Sequence, residues 1–217
     1  MSKRFCAQIL VFYGAMRMQE TLILASTSRY RAGLLSRLGR PFATEAPGID
    51  EAPLAGECPR DQVLRLARAK AASVAAHHPR AWVLGSDQLA TRDGEVLGKP
   101  GDSVRCEAQL LASSGRRVDF LTAVCLLRGL DGRRLEHVDT TIVQFRALSP
   151  GEVSRYVQRE QPLDCAGGFK CEGLGIALFE RIESVDPTAL IGLPLIWVAQ
   201  ALREVGLDPL GERTVSC

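Results

Sequence analysis

Histidine is scarce in this chain, with three in 217 residues, and none of the seven cysteines stands in a CxxC pair. A zinc site therefore lacks the ligand spacing it normally draws on. The cysteines, Cys6, Cys58, Cys106, Cys125, Cys165, Cys171 and Cys217, are odd in number and read as reduced thiols, with Cys106 and Cys125 in apolar patterns that suit a core. No apolar run approaches the roughly 20 residues that span a bilayer, so no membrane partner is expected. Charge of one sign is lacking too: 27 Lys and Arg are interleaved with 25 Asp and Glu, for a net +2. That balance leaves no footprint for nucleic acid, while small ligands guided by local charge remain open. There is no GK[ST] after any glycine run and no GxSxG elbow, which removes the Walker A loop and Ser-His-Asp hydrolysis.

What is present is an alternation of strand and helix patterns, the mark of an α/β domain, on a length that suits one domain or two lobes sharing a cleft. Leu22–Ala25 reads as a buried strand and Arg29–Leu38 as a helix closed by Gly39. Phe42–Glu45 is a short strand, and Pro59 opens a long helix to His77. The apolar run Ala81–Gly85 ends in Ser86-Asp87-Gln88, and Asp93-Gly94 marks a tight turn. A helix over Ser103–Ala112, a hairpin of Arg117–Leu127 with Leu135–Phe145, and a capping box at Ser149-Pro-Gly-Glu152 follow. The glycine-rich loop Ala166–Gly175 leads to a strand over Ile176–Ile182, and Leu193–Val205 forms the last helix. Residues 1–17 are expected to be a disordered extension or an upstream-start artefact, 18–206 the domain, and 207–217 a loose tail. The cytoplasm is the expected compartment.

Several residues can carry chemistry. Leu22–Ala25 ends in Ser26-Thr27-Ser28, and Arg29 and Arg31 flank Tyr30 as a helix begins. Hydroxyls, helix N–H groups and arginine suit a phosphate, although Ser28 or Thr27 can equally be a plain N-cap beside solvated arginines. Asp87, after an apolar strand, is expected at the carboxyl edge of a central sheet, where it can bind a cation or deprotonate water; the alternative is a surface turn. Asp50 and Glu51 suit Mg²⁺ or a solvated acidic turn. Lys70 lies among alanines, Lys99 between Gly98 and Pro100, and Lys170 in the glycine-rich loop; each can meet phosphate or solvent. His77 and His78 read as helix-end residues, and His137 as lying on the exposed face of the hairpin.

Taken in order, Leu24-Ala-Ser-Thr-Ser-Arg-Tyr-Arg31, Ile49-Asp-Glu51, Leu66-Ala-Arg-Ala-Lys-Ala71, Gly85-Ser-Asp-Gln88, Gly98-Lys-Pro100, Cys165–Gly175 and Ile191-Gly-Leu-Pro194 resemble the Maf nucleotide pyrophosphatases from about residue 21 to 206. The resemblance implies a mixed twisted sheet flanked by helices, with two lobes around a deep cleft, as in the inosine-triphosphate pyrophosphatases. It implies hydrolysis of a nucleoside triphosphate to monophosphate and pyrophosphate with Mg²⁺ or Mn²⁺. By position, Asp87 would accept the proton, Ser26, Ser28, Arg31, Lys70 and Lys99 would hold the triphosphate, and Glu51 would support the metal, beside Asp87, or the water.

Tyr30, Gln88 and Glu172 stand where dTTP/UTP-type members usually carry arginine, threonine and glutamine, which is similar to the 7-methyl-GTP branch. N7-methylation makes guanine cationic, so an aromatic face and a carboxylate suit it. The implied task is house-cleaning of modified nucleotides. Alternatives are a dTTP, UTP or broad-specificity pyrophosphatase, or a nucleotide-binding cell-division regulator with little catalysis. A homodimer stays open as the assembly. Ala32 departs from the family's frequent second arginine, so that one phosphate contact is either lost or supplied by Arg29, and Tyr30 replaces a tryptophan of some members.

Overall fold

Strand β1, Leu22–Ala25, is buried along its whole length because it lies inside a sheet, between β2 (Ala43–Glu45) and β3 (Trp82–Arg92), both parallel to it. A strand covered on both faces reads as a continuous apolar run, as this one does. The computed structural model describes residues 21–211, so the expectations for residues 1–17 and for the end of the tail lie outside the described residues.

The helices and remaining strands are α1 (Arg29–Ser36), α2 (Pro59–Ala75), β4 (Glu95–Leu97), α3 (Ser103–Ser113), β5 (Arg117–Arg128), β6 (Arg134–Phe145), α4 (Pro150–Glu160), β7 (Phe179–Glu183) and α5 (Leu195–Glu204). The sheet order is β2-β1-β3-β5-β6-β7, with β4 added to β3. Only β1, β2 and β3 run parallel; β5, β6 and β7 continue antiparallel. The β3–β4 turn has Asp93 at φ 53° and Gly94 at φ 84°, with Arg92 opposite Glu95, the two-residue turn that matches strand twist. At Ser149 the capping box is complete: its hydroxyl accepts from Glu152 N while Glu152 accepts from Ser149 N.

Three apolar clusters divide the molecule. Leu22, Leu24, Leu84 and Leu126 face α1 and α5, whereas Ile23, Ala25, Val83 and Cys125 face α2, the period of two that puts alternate residues on opposite sides of a strand. The third cluster, with Cys106, Leu110, Phe120, Phe145 and Tyr156, fills a second lobe between the far ends of β5 and β6 and helices α3 and α4. Cys106 and Cys125 are fully buried, as their apolar settings predict. Leu207 is also buried, against the α5 cluster.

Two expectations change. The strand that begins the Ala81–Gly85 run does not stop there; β3 goes on to Arg92, and Asp87 sits mid-strand opposite Ala123. What ends at the level of Gly85 is β1, whose Ala25 pairs with Gly85. Loss of that neighbour opens space beside Ser86 and Asp87. The strand expected over Ile176–Ile182 is confined to β7, because Leu174–Leu178 forms 3-10 turns whose backbone is committed elsewhere: Leu174 N donates to Glu160 Oε1 at 3.0 Å and Gly175 N to Lys170 O at 3.1 Å. Among the described residues no helix is long and apolar enough to cross a membrane.

Candidate active site

A cleft of about 600 Å³ lies between the lobes, and Ser26, Ser28, Tyr30, Arg31, Glu51, Lys70, Asp87, Gln88, Lys99 and Glu172 all line it. These residues come from α1, α2, β3 and four loops, and the fold gathers every one of them.

The hydroxyl run does cap the helix. Ser28 is the N-cap of α1, its Oγ accepting from Arg31 N at 3.4 Å, and Ser26 Oγ accepts from Ser28 N at 3.1 Å. Each hydroxyl thus uses a lone pair on backbone and keeps its O–H to donate into the cleft. Arg31 is fixed from the far side of the chain: its Nε donates to Gly192 O at 3.1 Å, and buried Ser86 donates to the same carbonyl at 2.9 Å. Gly192 has φ 116°, and a Cβ there would lie 3.3 Å from Arg31 Nε. Burial lowers the Arg31 pKa, opposed by the charges of Asp87 and Glu51. Ala32 does not line the cleft but packs against the α1–α5 cluster, whereas Arg29 does line it, with Nη2 engaged by Tyr30.

At the centre one ammonium joins two carboxylates. Lys70, 5% exposed, reaches Asp87 Oδ1 and Glu51 Oε1, each at 2.7 Å. Lys70 has three donors, so one remains for a ligand, and Asp87 Oδ2 has no hydrogen-bond partner among the described residues. Although burial opposes ionisation of Glu51, the hydrogen bond and charge of Lys70, with Lys99 and Arg31, hold its carboxyl below the usual range. The approach of Lys70 depends on Gly85. A Cβ at that position would lie 2.3 Å from Ala67 O and 2.7 Å from Ala71 N, so α2 packs backbone to backbone on β3.

Helix α2 also splints the loop that carries Glu51. Ser73 donates to Pro47 O, while Arg65 donates to Ala52 O at 3.2 Å and grips Glu57 at 2.6 and 2.7 Å. Sequence reading missed Arg65, Ser86 and Gly192, whose effect on the cleft passes through other residues. It also missed Gln62, 7% exposed, on the same helix face as Leu66 and Lys70 in the cleft wall.

On the opposite side, Arg29 Nη2 donates to Tyr30 Oη at 2.9 Å and its guanidinium lies 4.9 Å from the ring centroid. Gln88 is less free than expected: its Nε2 donates to Thr122 Oγ1, Ala189 O and Leu190 O at 2.9–3.1 Å, which leaves Oε1 as the atom available to a ligand. Lys170 does not line the cleft; its Nζ donates to Glu160 O at 2.6 Å at the end of α4. His137 is not a free surface residue either, for it stacks on Trp197 at 5.7 Å. His77 and His78 do follow α2, both against Glu45.

The order of these motifs along one cleft has a counterpart in known proteins: the family described as Maf-like protein matches residues 21–205. The chain belongs to the Maf-like proteins. A protein named 7-methyl-GTP pyrophosphatase from Xanthomonas oryzae pv. oryzae is 57% identical over 189 residues, 87% of this chain and 98% of its own. Proteins of that name from Ralstonia nicotianae and Chromohalobacter salexigens are 53% and 50% identical over 87% and 88% of this chain and 97% and 98% of theirs. The Staphylococcus aureus Ham1 protein is a remoter likeness, at 14% identity and a TM-score of 0.49 over 86% of this Maf-like chain and all of that one. The mixed α/β architecture rests on the sheet itself.

Four cations, Arg29, Arg31, Lys70 and Lys99, line the Maf-like cleft with four anions, Glu51, Asp87, Asp164 and Glu172. A polyphosphate brought into so balanced a site calls for further positive charge. Glu51 and Asp87 already share one cation, and carboxylate pairs are hard-oxygen donors of the kind that Mg²⁺ takes together with phosphate oxygens. Among the described residues no group of three or more His, Cys, Asp or Glu side chains stands together, so this pair fits a divalent cation only with phosphate oxygens completing its shell.

Proposed function

We propose that this chain hydrolyses 7-methyl-GTP to 7-methyl-GMP and pyrophosphate. The names of its relatives support the reaction, and one observation of the cleft carries the choice of base. The Tyr30 ring already lies under a flat, delocalised cation, the Arg29 guanidinium, in the same cleft as the Glu172 carboxylate. A cationic 7-methylguanine suits that pair: its face takes the cation–π position and its Watson–Crick N–H donors meet the carboxylate.

In this reading Asp87 accepts the proton of a water attacking the α-phosphorus, through Oδ2, while Lys70 holds Oδ1. Ser26 and Ser28 donate their hydroxyl protons to phosphate oxygens, and Arg31, Lys70 and Lys99 balance charge on the departing pyrophosphate. Glu51 and Asp87 would hold Mg²⁺ or Mn²⁺, which when bound polarises the phosphates. Free nucleotide in the cytoplasm is the setting this activity implies.

The test is pyrophosphate release across 7-methyl-GTP, GTP, dTTP, UTP and CTP. The expected outcome is the highest kcat/KM on 7-methyl-GTP, and a fall of roughly 10²–10⁴-fold for Asp87→Asn, the range for a lost general base. Near-wild-type turnover by a folded Asp87→Asn protein overturns the mechanism, and a preference for dTTP or UTP overturns the substrate.

A further inference from the structure

Glu172 is exposed at the margin of the cleft, and an unrestrained glutamate loses conformational entropy each time it is fixed on a ligand. Its surroundings are far more ordered than its own side chain. On one flank Lys170 N donates to Tyr156 Oη at 3.0 Å, and Lys170 Nζ to Glu160 O. On the other, Gly173 N and Gly175 N both donate to Lys170 O, at 3.2 and 3.1 Å, and Leu174 N to Glu160 Oε1. The loop backbone is therefore held on both sides of position 172. Only the carboxylate remains to be oriented.

We infer that Cys171 does this, and so acts as a positioning residue for base selection. The inference rests on the reading of Glu172 as the base-recognising carboxylate. Cys171 Sγ lies 3.6 Å from Glu172 Oε2 and donates to it. Unlike its neighbour, Cys171 is half-buried, packing against the second-lobe cluster that contains Phe169, while also lining the cleft. Its sulfur is thus fixed by the core and its proton is offered to the cleft side. Burial, reinforced by the Glu172 charge, pushes the thiol up to about 12, so at neutral pH it keeps the proton it must donate. A carboxylate oxygen has two lone pairs, so Oε2 can take the thiol and still accept an N–H from the base, with Oε1 free for a second. The thiol thus pre-orients a carboxylate for two-point recognition and consumes none of its capacity for the ligand.

The test compares kcat and KM for 7-methyl-GTP and UTP in the wild-type enzyme and in Cys171→Ser, Cys171→Val, Cys171→Ala and Glu172→Gln. Loss of the donor in Cys171→Ala and Cys171→Val is expected to lower the 7-methyl-GTP to UTP ratio of kcat/KM by about 3- to 10-fold, as for a weak hydrogen bond to a charged group. The change should fall on KM for 7-methyl-GTP, with kcat on both substrates unchanged. Cys171→Ser supplies a hydroxyl donor at the same place and should keep the ratio within about twofold of wild type. The valine and alanine variants bracket the thiol in size, so either one that folds carries the test. An unchanged ratio in these variants beside a lowered ratio in Glu172→Gln overturns the role of Cys171, as does a serine variant that behaves like alanine. An unchanged ratio in Glu172→Gln is a different result, for it overturns the reading of the base site itself.

Discussion

Lys70 holds two carboxylates at once, and its removal leaves Asp87, itself only 6% exposed, without its hydrogen-bonded counter-charge. Breaking a buried pair from one side costs roughly 3–5 kcal/mol, and about 1 kcal/mol moves the midpoint of a domain this size by about 2–4 °C. Lys70→Met should therefore lower Tm by several degrees as well as abolish turnover. Adding Asp87→Asn to that variant should recover part of the stability, because the orphaned charge goes with it; a double variant no more stable than Lys70→Met argues against the pair. On the base side, Tyr30→Leu should raise KM for 7-methyl-GTP about 5- to 30-fold, the equivalent of a desolvated cation–π contact, and barely change KM for UTP. Equal effects on both substrates, measured by initial rates, contradict the stacking role. Residues of this kind are legible in sequence because their chemistry is their own: a carboxylate, a lysine among alanines, an aromatic between arginines. Gln88 and Lys170 were legible by type but not by role. Their amide and ammonium donors are taken by backbone carbonyls of residues 189–190 and 160–161, which no local pattern announces.

Among the elements, α2 and β3 decide most about the site. Helix α2 carries Lys70 and ties down the Glu51 loop through Arg65 and Ser73, and its distance from β3 is set by the missing side chain at Gly85. A methyl group at Gly85 meets the Ala67 carbonyl and the Ala71 nitrogen, so the helix must move. Overpacking of this kind costs about 1–3 kcal/mol. Gly85→Ala should lower Tm by several degrees and reduce activity even where the protein stays folded, since Lys70 moves with the helix; unchanged kcat in a folded Gly85→Ala enzyme contradicts this. Arg65→Met should loosen the loop, seen as faster amide hydrogen exchange over residues 50–57 with α2 itself still protected. Helix starts were readable: Ser28 and Ser149 cap α1 and α4, and Pro59 is the first residue of α2. The extent of β3 was not. Past Gly85 it changes from a strand with neighbours on both sides to one that faces a cleft, and its apolar pattern breaks at Ser86-Asp87-Gln88, as it also does where a strand ends.

For the molecule as a whole, the cleft lies where the parallel part of the sheet runs out between two separately cored lobes. Two further buried carboxylates, Asp139 and Asp186, stand outside it. Burial pushes the Asp139 carboxyl above its ordinary value and the Asp186 charge adds to that, against His137 and Thr141. A folded-state value above the unfolded one, about 3.9, favours the protonated form, so this group's contribution is fully present below the unfolded value and lost as pH rises through the folded one. Asp139→Asn should then raise Tm near pH 7, with the gain shrinking towards zero below about pH 4. A gain that persists unchanged in acid points to another cause.

Most element types, the capped helix starts, the tight turn and the inventory of hydroxyls, cations and carboxylates were determined by the sequence alone, because side-chain chemistry and hydrophobic period act over a few neighbouring residues. Tertiary structure alone decided which of those residues meet. Ser26, Arg31, Lys70 and Asp87 are brought together by a backbone contact at Gly85, a carbonyl at Gly192 and the end of β1 beside β3. Such contacts join distant segments through backbone atoms that every residue carries, so the local sequence does not name the partner.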